Sequence, residues 1–168
     1  MSPDGTWIVS AGDDDRTLKI WDAATGAERA SFIGYSYLRD CAVSPDGTWI
    51  VSAGKDGTVK VWDVATGTER AVLVLPGAAT AVAFHPLTPM VACSDWGGGV
   101  HLAHLVGIEL GPLVVTAAVH DHELTVRCPA CREAFPVDRD RLGTETACPR
   151  PACGTRLRIN PLVLRPLL

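Results

Sequence analysis

The sequence predicts an all-β chain made of two unlike parts, and three observations carry that expectation. The phrase SPDGTWIVSAG runs from Ser2 to Gly12 and returns, letter for letter, from Ser44 to Gly54. Short apolar runs rich in β-branched residues alternate with Gly-, Pro- and Asp-containing turns through the first two thirds of the chain. Four of the six cysteines then crowd into the 26 residues from Cys128 to Cys153.

Composition sets the outer bounds. The 168 residues are 47% apolar with a formal net charge of −4, enough apolar content for a globular core. No uninterrupted apolar run approaches the roughly 18 residues of a membrane span, so no membrane association is expected. Met1 leads into Ser-Pro-Asp-Gly rather than a basic and then apolar leader, so secretion is not signalled and the cytoplasm is the expected compartment. Residues 1–118 hold 7 Lys and Arg against 13 Asp and Glu, whereas residues 119–168 hold 8 Arg against 6 acids. That shift places a boundary near 120, giving a repeat domain over 1–119, a cysteine-bearing domain over 120–160 and a tail over 161–168.

The repeat has a fixed period. Ser2 maps to Ser44 at an offset of 42 and Trp21 to Trp62 at 41, because the Asp13-Asp14-Asp15-Arg16 turn carries one extra residue. A third, degraded copy follows at 41, with His85-Pro86 on Ser44-Pro45, Cys93 on Ser52, Gly98 on Gly57 and Val100 on Val59. Within a copy the strands are expected over Trp49–Ser52, Thr58–Trp62, Ala71–Leu75 and Ala79–Phe84, joined by Pro-Asp-Gly, Lys-Asp-Gly and Ala-Thr-Gly turns. No stretch of 12 residues keeps a 3.6-residue period free of Gly or Pro, so no long helix is expected. A strand over Leu38–Val43 precedes Ser44, but only Met1 precedes Ser2, so the first unit is expected to lack its innermost strand.

The stretches RTLKIWDAATG and GTVKVWDVATG, each following SPDGTWIVSAG, resemble the blades of WD-repeat β-propellers over residues 2–118. The resemblance implies a structural network of a blade Trp, a strand Ser and a turn Asp, matched by Trp62, Ser52 and Asp56, with Trp21 as the first copy's tryptophan. The family's Gly-His histidine is missing, its place taken by Gly34-Tyr35 and Gly77-Ala78, and in the third copy Ala103-His104 replaces Trp-Asp. Closed propellers have about four to eight blades, so three blades form an incomplete arc. Protein partners, further blades or a second copy are expected to complete it. Trp96, aligned with turn residue Lys55, is expected to be exposed; with Tyr35 it is a candidate interface aromatic.

The segment CPACREAFPVDRDRLGTETACPRPAC reads as C-x2-C, sixteen residues, then C-x4-C. Two close cysteine pairs at that separation let Cys128, Cys131, Cys148 and Cys153 surround one ion tetrahedrally, and four soft sulfurs favour Zn²⁺, one per chain. A closed four-sulfur site leaves no position for water, so the metal is expected to be structural. Two disulfides or an iron site are the alternatives, and His120 and His122 are near enough in sequence to replace Cys153. With Leu124–Arg127 and Arg156–Ile159 alternating like flanking strands, residues 124–160 resemble a zinc ribbon whose second knuckle carries two extra residues and is expected to bulge.

Catalytic motifs are missing. Gly97-Gly98-Gly99 has no following Gly-Lys-Ser or Gly-Lys-Thr, His101 and His104 fall on opposite strand faces, and Cys41 and Cys93 sit at strand positions that suit small buried hydrophobes. An enzyme is not expected. The ribbon's charge of +2 falls to about zero with four thiolates and one Zn²⁺, and Phe135 is its single aromatic, so nucleic acid is not the expected partner. The reading is a non-catalytic protein-interaction or sensor module. A nucleic-acid adaptor using the ribbon arginines, or a gene fragment without independent function, are the alternatives. The junction GIELGPLVVTAAVHDHELTVRCPACREAFPV resembles the carboxyl-terminal end of bacterial signal-transduction ATPases related to innate-immune receptors, which implies a sensor within a larger signalling assembly.

Overall fold

The computed structural model describes residues 1–34, 36–120 and 123–164, the side chain of His120 excepted. It is all-β, with a single short 3-10 turn at Arg139–Arg141 among the described residues. No helix there is long and apolar enough to cross a membrane. The chain divides into two compact units, the first ending at Glu109 and the second beginning at Leu110.

The first unit holds three sheets in chain order. Strands β1 (Trp7–Ala11), β2 (Thr17–Asp22) and β3 (Glu28–Ile33) form the first; β4 (Leu38–Val43), β5 (Trp49–Gly54), β6 (Thr58–Asp63) and β7 (Glu69–Val74) the second; β8 (Ala79–Phe84), β9 (Met90–Asp95) and β10 (Val100–His104) the third. All neighbours pair antiparallel. The copies share their register: Ile8 opposes Trp21 as Ile50 opposes Trp62, and both sheets shift register just before the tryptophan. The first sheet lacks the inner strand that β4 supplies to the second, and the third sheet ends at β10 with no counterpart of β7.

Repeated side-chain bonds explain why the repeated letters fold alike. In the Ser-Pro-Asp-Gly turn the serine hydroxyl accepts the backbone N–H five residues on, Trp7 to Ser2 at 3.0 Å and Trp49 to Ser44 at 2.9 Å, while Gly5 and Gly47 take positive φ. At the far end of β2 and β6, Asp22 and Asp63 accept the N–H groups two and three residues on, closing the Ala-Thr-Gly turns. The third copy improvises. His85 Nδ1 accepts from the Leu87 and Thr88 N–H groups, closing the turn through donors other than those that the serine and aspartate serve in the first two copies.

Apolar residues of adjacent sheets make two cores. Trp7, Leu18, Ile20 and Phe32 meet Ile50 and Trp62 between the first and second sheets, with the Phe32 and Trp62 rings stacked at 6.2 Å. Val51, Val59 and Val61 meet Val82, Val91 and Cys93 between the second and third. Ile108 is buried in this second core and Trp49 Nε1 donates to the Glu109 carbonyl at 3.3 Å, tying residues up to 109 to the first unit.

The second unit is one sheet in the order β13-β12-β11-β15-β14, formed by β11 (Leu113–His120), β12 (Glu123–Arg127), β13 (Ala134–Pro136), β14 (Glu145–Ala147) and β15 (Arg156–Leu164). The division falls ten residues before the boundary read at 119/120, because β11 pairs with β12 and lies parallel to β15 at the centre of this sheet. Residues 161–164, read as the start of a tail, extend β15. Pro161 is tolerated because the ladder shifts register there, and Asn160 closes the irregularity by donating to Thr116 Oγ1 and accepting from the Leu162 N–H. Leu113, Val115, Leu124, Val126, Leu157 and Ile159 bury against Cys128 and Cys148 as this unit's own core.

Candidate metal centre and interaction surface

Two hairpins carry the cysteines. Cys128 and Cys131 follow β12 and precede β13; Cys148 and Cys153 follow β14 and precede β15. Each loop closes with the same bond: the first cysteine's N–H donates to the carbonyl two residues past the second, Cys128 to Glu133 and Cys148 to Thr155, both at 2.9 Å. The residue after the second cysteine is left-handed in both loops, Arg132 at φ 62° and Gly154 at φ 57°. The extra residues of the second loop are taken up between those ends, where the Arg150 carbonyl accepts from the Cys153 N–H.

The four Sγ atoms lie within 4.8 Å of one another. Cys128 stands 3.8 Å from Cys153, and Cys131 3.6 Å from Cys148. Thiolates about 2.3 Å from a tetrahedral ion are separated by about 3.8 Å, so the residues fit such an ion, whereas disulfide sulfurs are about 2.05 Å apart. The cluster can hold a metal ion. Cys128 and Cys148 are buried, and Cys131 and Cys153 partly open to the surface.

The sulfurs differ in their surroundings. Thr155 donates to Cys153, its hydroxyl 3.0 Å from the sulfur, and with its backbone N–H draws that thiol down to about 6. Burial pushes Cys148 up to about 12. His122 lies outside the described residues, as does the side chain of His120.

In the blades, Trp62 Nε1 donates to Ser52 Oγ at 2.9 Å and Trp21 Nε1 to Ser10 Oγ at 2.8 Å. Ser10 was legible as the repeat partner of Ser52. Asp56 stays apart from this pair: its carboxylate accepts the Thr58 N–H and hydroxyl at 3.0 and 2.7 Å within its own turn. Lys60 lies over the Trp62 ring and pairs with Glu69 at 2.6 Å, as Lys19 lies over Trp21 and pairs with Glu28 at 3.7 Å.

The third blade keeps the turn's acceptor by moving it. Gly99 is the counterpart of Thr58, and its N–H is bound at 3.0 Å by Asp95, which occupies the position of Gly54, while Gly97 occupies that of Asp56. A Cβ on Gly54 would meet the Asp56 carboxylate at 2.5 Å, so the two exchanges depend on each other. Asp95 also meets His101 Nε2 at 2.7 Å, which holds its carboxyl below the usual range together with the Gly99 N–H. His101 is therefore one half of a hydrogen-bonded pair that spacing did not reveal.

Cys93 is buried; Cys41 is partly buried and pushed up to about 11 by burial and then by Asp40, which leaves a poor nucleophile. Trp96 is 73% exposed, with the Arg39 guanidinium 5.6 Å from its ring. Nearby in sequence, Tyr37 sits between Arg16 and Lys55 at 5.3 and 5.4 Å, a set that sequence reasoning missed because each member comes from a different turn. Tyr35 lies outside the described residues.

Comparison with known proteins places these observations. The family model described as WD domain, G-beta repeat, matches residues 1–22 and 26–63. Among solved structures, the crystal structure of the computationally designed Ika4 protein is similar, with 30% identity and a TM-score of 0.53 over 60% of this chain and 61% of that one. The chain thus spans about three-fifths of that protein's length. No curated protein sequence matches. WD repeats generally serve as non-catalytic scaffolds for protein interaction, and the residues that match them lie in the curled, propeller-like sheets of the first unit.

Proposed function

We propose that this chain is a non-catalytic protein-interaction or sensor module, in which the blades present a rigid binding surface and a structural Zn²⁺ ion orders the second unit as a zinc ribbon. The observation that carries the interaction reading is Trp96: a large aromatic left open on a blade turn, stacked with a cation, in a repeat class that holds proteins. Zinc is favoured by four sulfurs at tetrahedral spacing, with no carboxylate in the cluster. Cys128, Cys131, Cys148 and Cys153 would hold the ion, whose contribution is folding energy rather than a reactive water. The proposed setting is a cytoplasmic signalling assembly, where thiols stay reduced.

The interaction reading is tested by affinity capture with the wild-type chain and with Trp96→Ala. The replaced ring is exposed, so folding should survive. A protein retained by the first and lost from the second is the expected result. Identical sets retained by both would contradict it.

A further inference from the structure

The blades repeat not only their strands but their two faces, and each end of the three-blade arc shows one of those faces without a cover. On the second blade the leading face, Ile50, Ser52, Lys60 and Trp62, is buried against the first blade. The same positions on the first blade hold the same residues, Ile8, Ser10, Lys19 and Trp21, yet here Ile8 is 42% exposed and the other three are only partly buried. The trailing face behaves likewise. Val51, Ala53, Val59 and Val61 of the second blade are buried on the third, while no further sheet of the first unit covers their counterparts Ala92, Ser94, Val100 and Leu102, Val100 and Leu102 being 76% and 71% exposed.

Inside the chain, what covers Ile50 and Trp62 is the first blade's trailing face, Val9, Ala11, Leu18 and Ile20. At these positions the third blade offers three apolar side chains, Ala92, Val100 and Leu102, and one small hydroxyl, Ser94, which is bonded within its own blade to Thr80 at 2.8 Å. The open trailing face of one molecule therefore matches, position by position, the surface that already covers a leading face identical to the open one.

We propose that the trailing face of the third blade docks on the leading face of the first blade of a second copy of this chain, repeating between molecules the contact that joins the first and second blades within one. The contact is heterologous, using a different patch on each partner. Two copies bring the count to six blades, within the about four to eight that closed propellers use. Desolvating Val100 and Leu102 supplies the driving force, as for any exposed apolar patch of this kind. The inference goes beyond the proposed function, since it holds or fails whatever protein Trp96 meets and whether or not zinc is bound.

Sedimentation equilibrium of the full chain across micromolar concentrations tests it, with Ile8→Asp and Leu102→Asp as variants on the two faces. Both side chains are exposed, and circular dichroism should confirm intact strands. The wild type is expected to assemble, each variant to run as a single chain, and an equimolar mixture to recover a two-chain species, because one intact leading face and one intact trailing face remain. A wild type that stays monomeric would overturn the proposal. So would a Leu102→Asp or Ile8→Asp chain that assembles alone like the wild type, or a mixture that recovers nothing.

Discussion

The second blade and the second unit are sheets of similar size, held by opposite means. In the blade, order is spread over many small bonds: Trp62 to Ser52, Asp63 across its turn, Ser44 across the next, and apolar faces covered on both sides. In the second unit, four sulfurs converge between the two hairpins at the heart of the core. Dispersed bonds can be lost one at a time, as the third blade shows by doing without the Trp and Ser. A convergent site cannot, since each of the four sulfurs would be needed to complete the tetrahedral set around the proposed ion.

Cys128→Ala should therefore have the largest effect. With zinc present, the second unit is expected to lose its cooperative folding, on the order of 10 kcal/mol of metal-linked stability. Unit-resolved hydrogen exchange would check this, the first unit staying protected. A variant that keeps one zinc per chain and full protection of β12 would show that Cys128 is not a ligand.

In the blade, Trp62→Ala removes a buried ring that stacks on Phe32, and is expected to cost about 3–5 kcal/mol in denaturant unfolding. Trp62→Phe keeps most of the packing and leaves Ser52 without its donor, so about 1 kcal/mol is expected. Equal losses in the two variants would mean that the bond, not the ring, holds the sheet.

Acid sharpens the comparison inside the first unit. Asp95 is held below its ordinary value of 3.8 by His101 and then by the Gly99 N–H. A carboxyl lowered on folding contributes stability that is full above that ordinary value and fades as pH falls through the folded one. Unfolding midpoints should therefore drop below about pH 4 more steeply in the wild type than in Asp95→Asn. Parallel pH profiles would count against the pair.

The smallest effect belongs to Arg16→Gly. Arg16 sits at φ 57° where the other two blades carry Gly57 and Gly98, and relief of that backbone should offset the unfolded chain's added freedom to within about 0.5 kcal/mol. A loss well beyond this in the denaturant midpoint would show that the guanidinium over Tyr37 supports the blade.

What could be read from the sequence follows from where the information lies. Repetition exposed the strands, the turns and the missing inner strand, because identical letters at a fixed period make identical bonds. The cysteine spacing exposed the cluster, since two hairpin loops must carry the pairs. The 109/110 division was hidden, because Leu113–His120 reads like any blade strand and its partner, β15, lies more than 40 residues on. The Asp95 and Gly97 exchange was equally hidden. It becomes visible only when one asks which acceptor serves the Gly99 N–H. Tyr37 between Arg16 and Lys55 depends on three turns meeting, which no local pattern encodes.

The most direct test of the contrast between dispersed and convergent order is hydrogen exchange of the zinc-loaded chain before and after chelation. The expected result is loss of protection in β12, β14 and β15 with β5 and β6 unchanged. Protection that survives chelation in the second unit, or that falls equally in both, would contradict it.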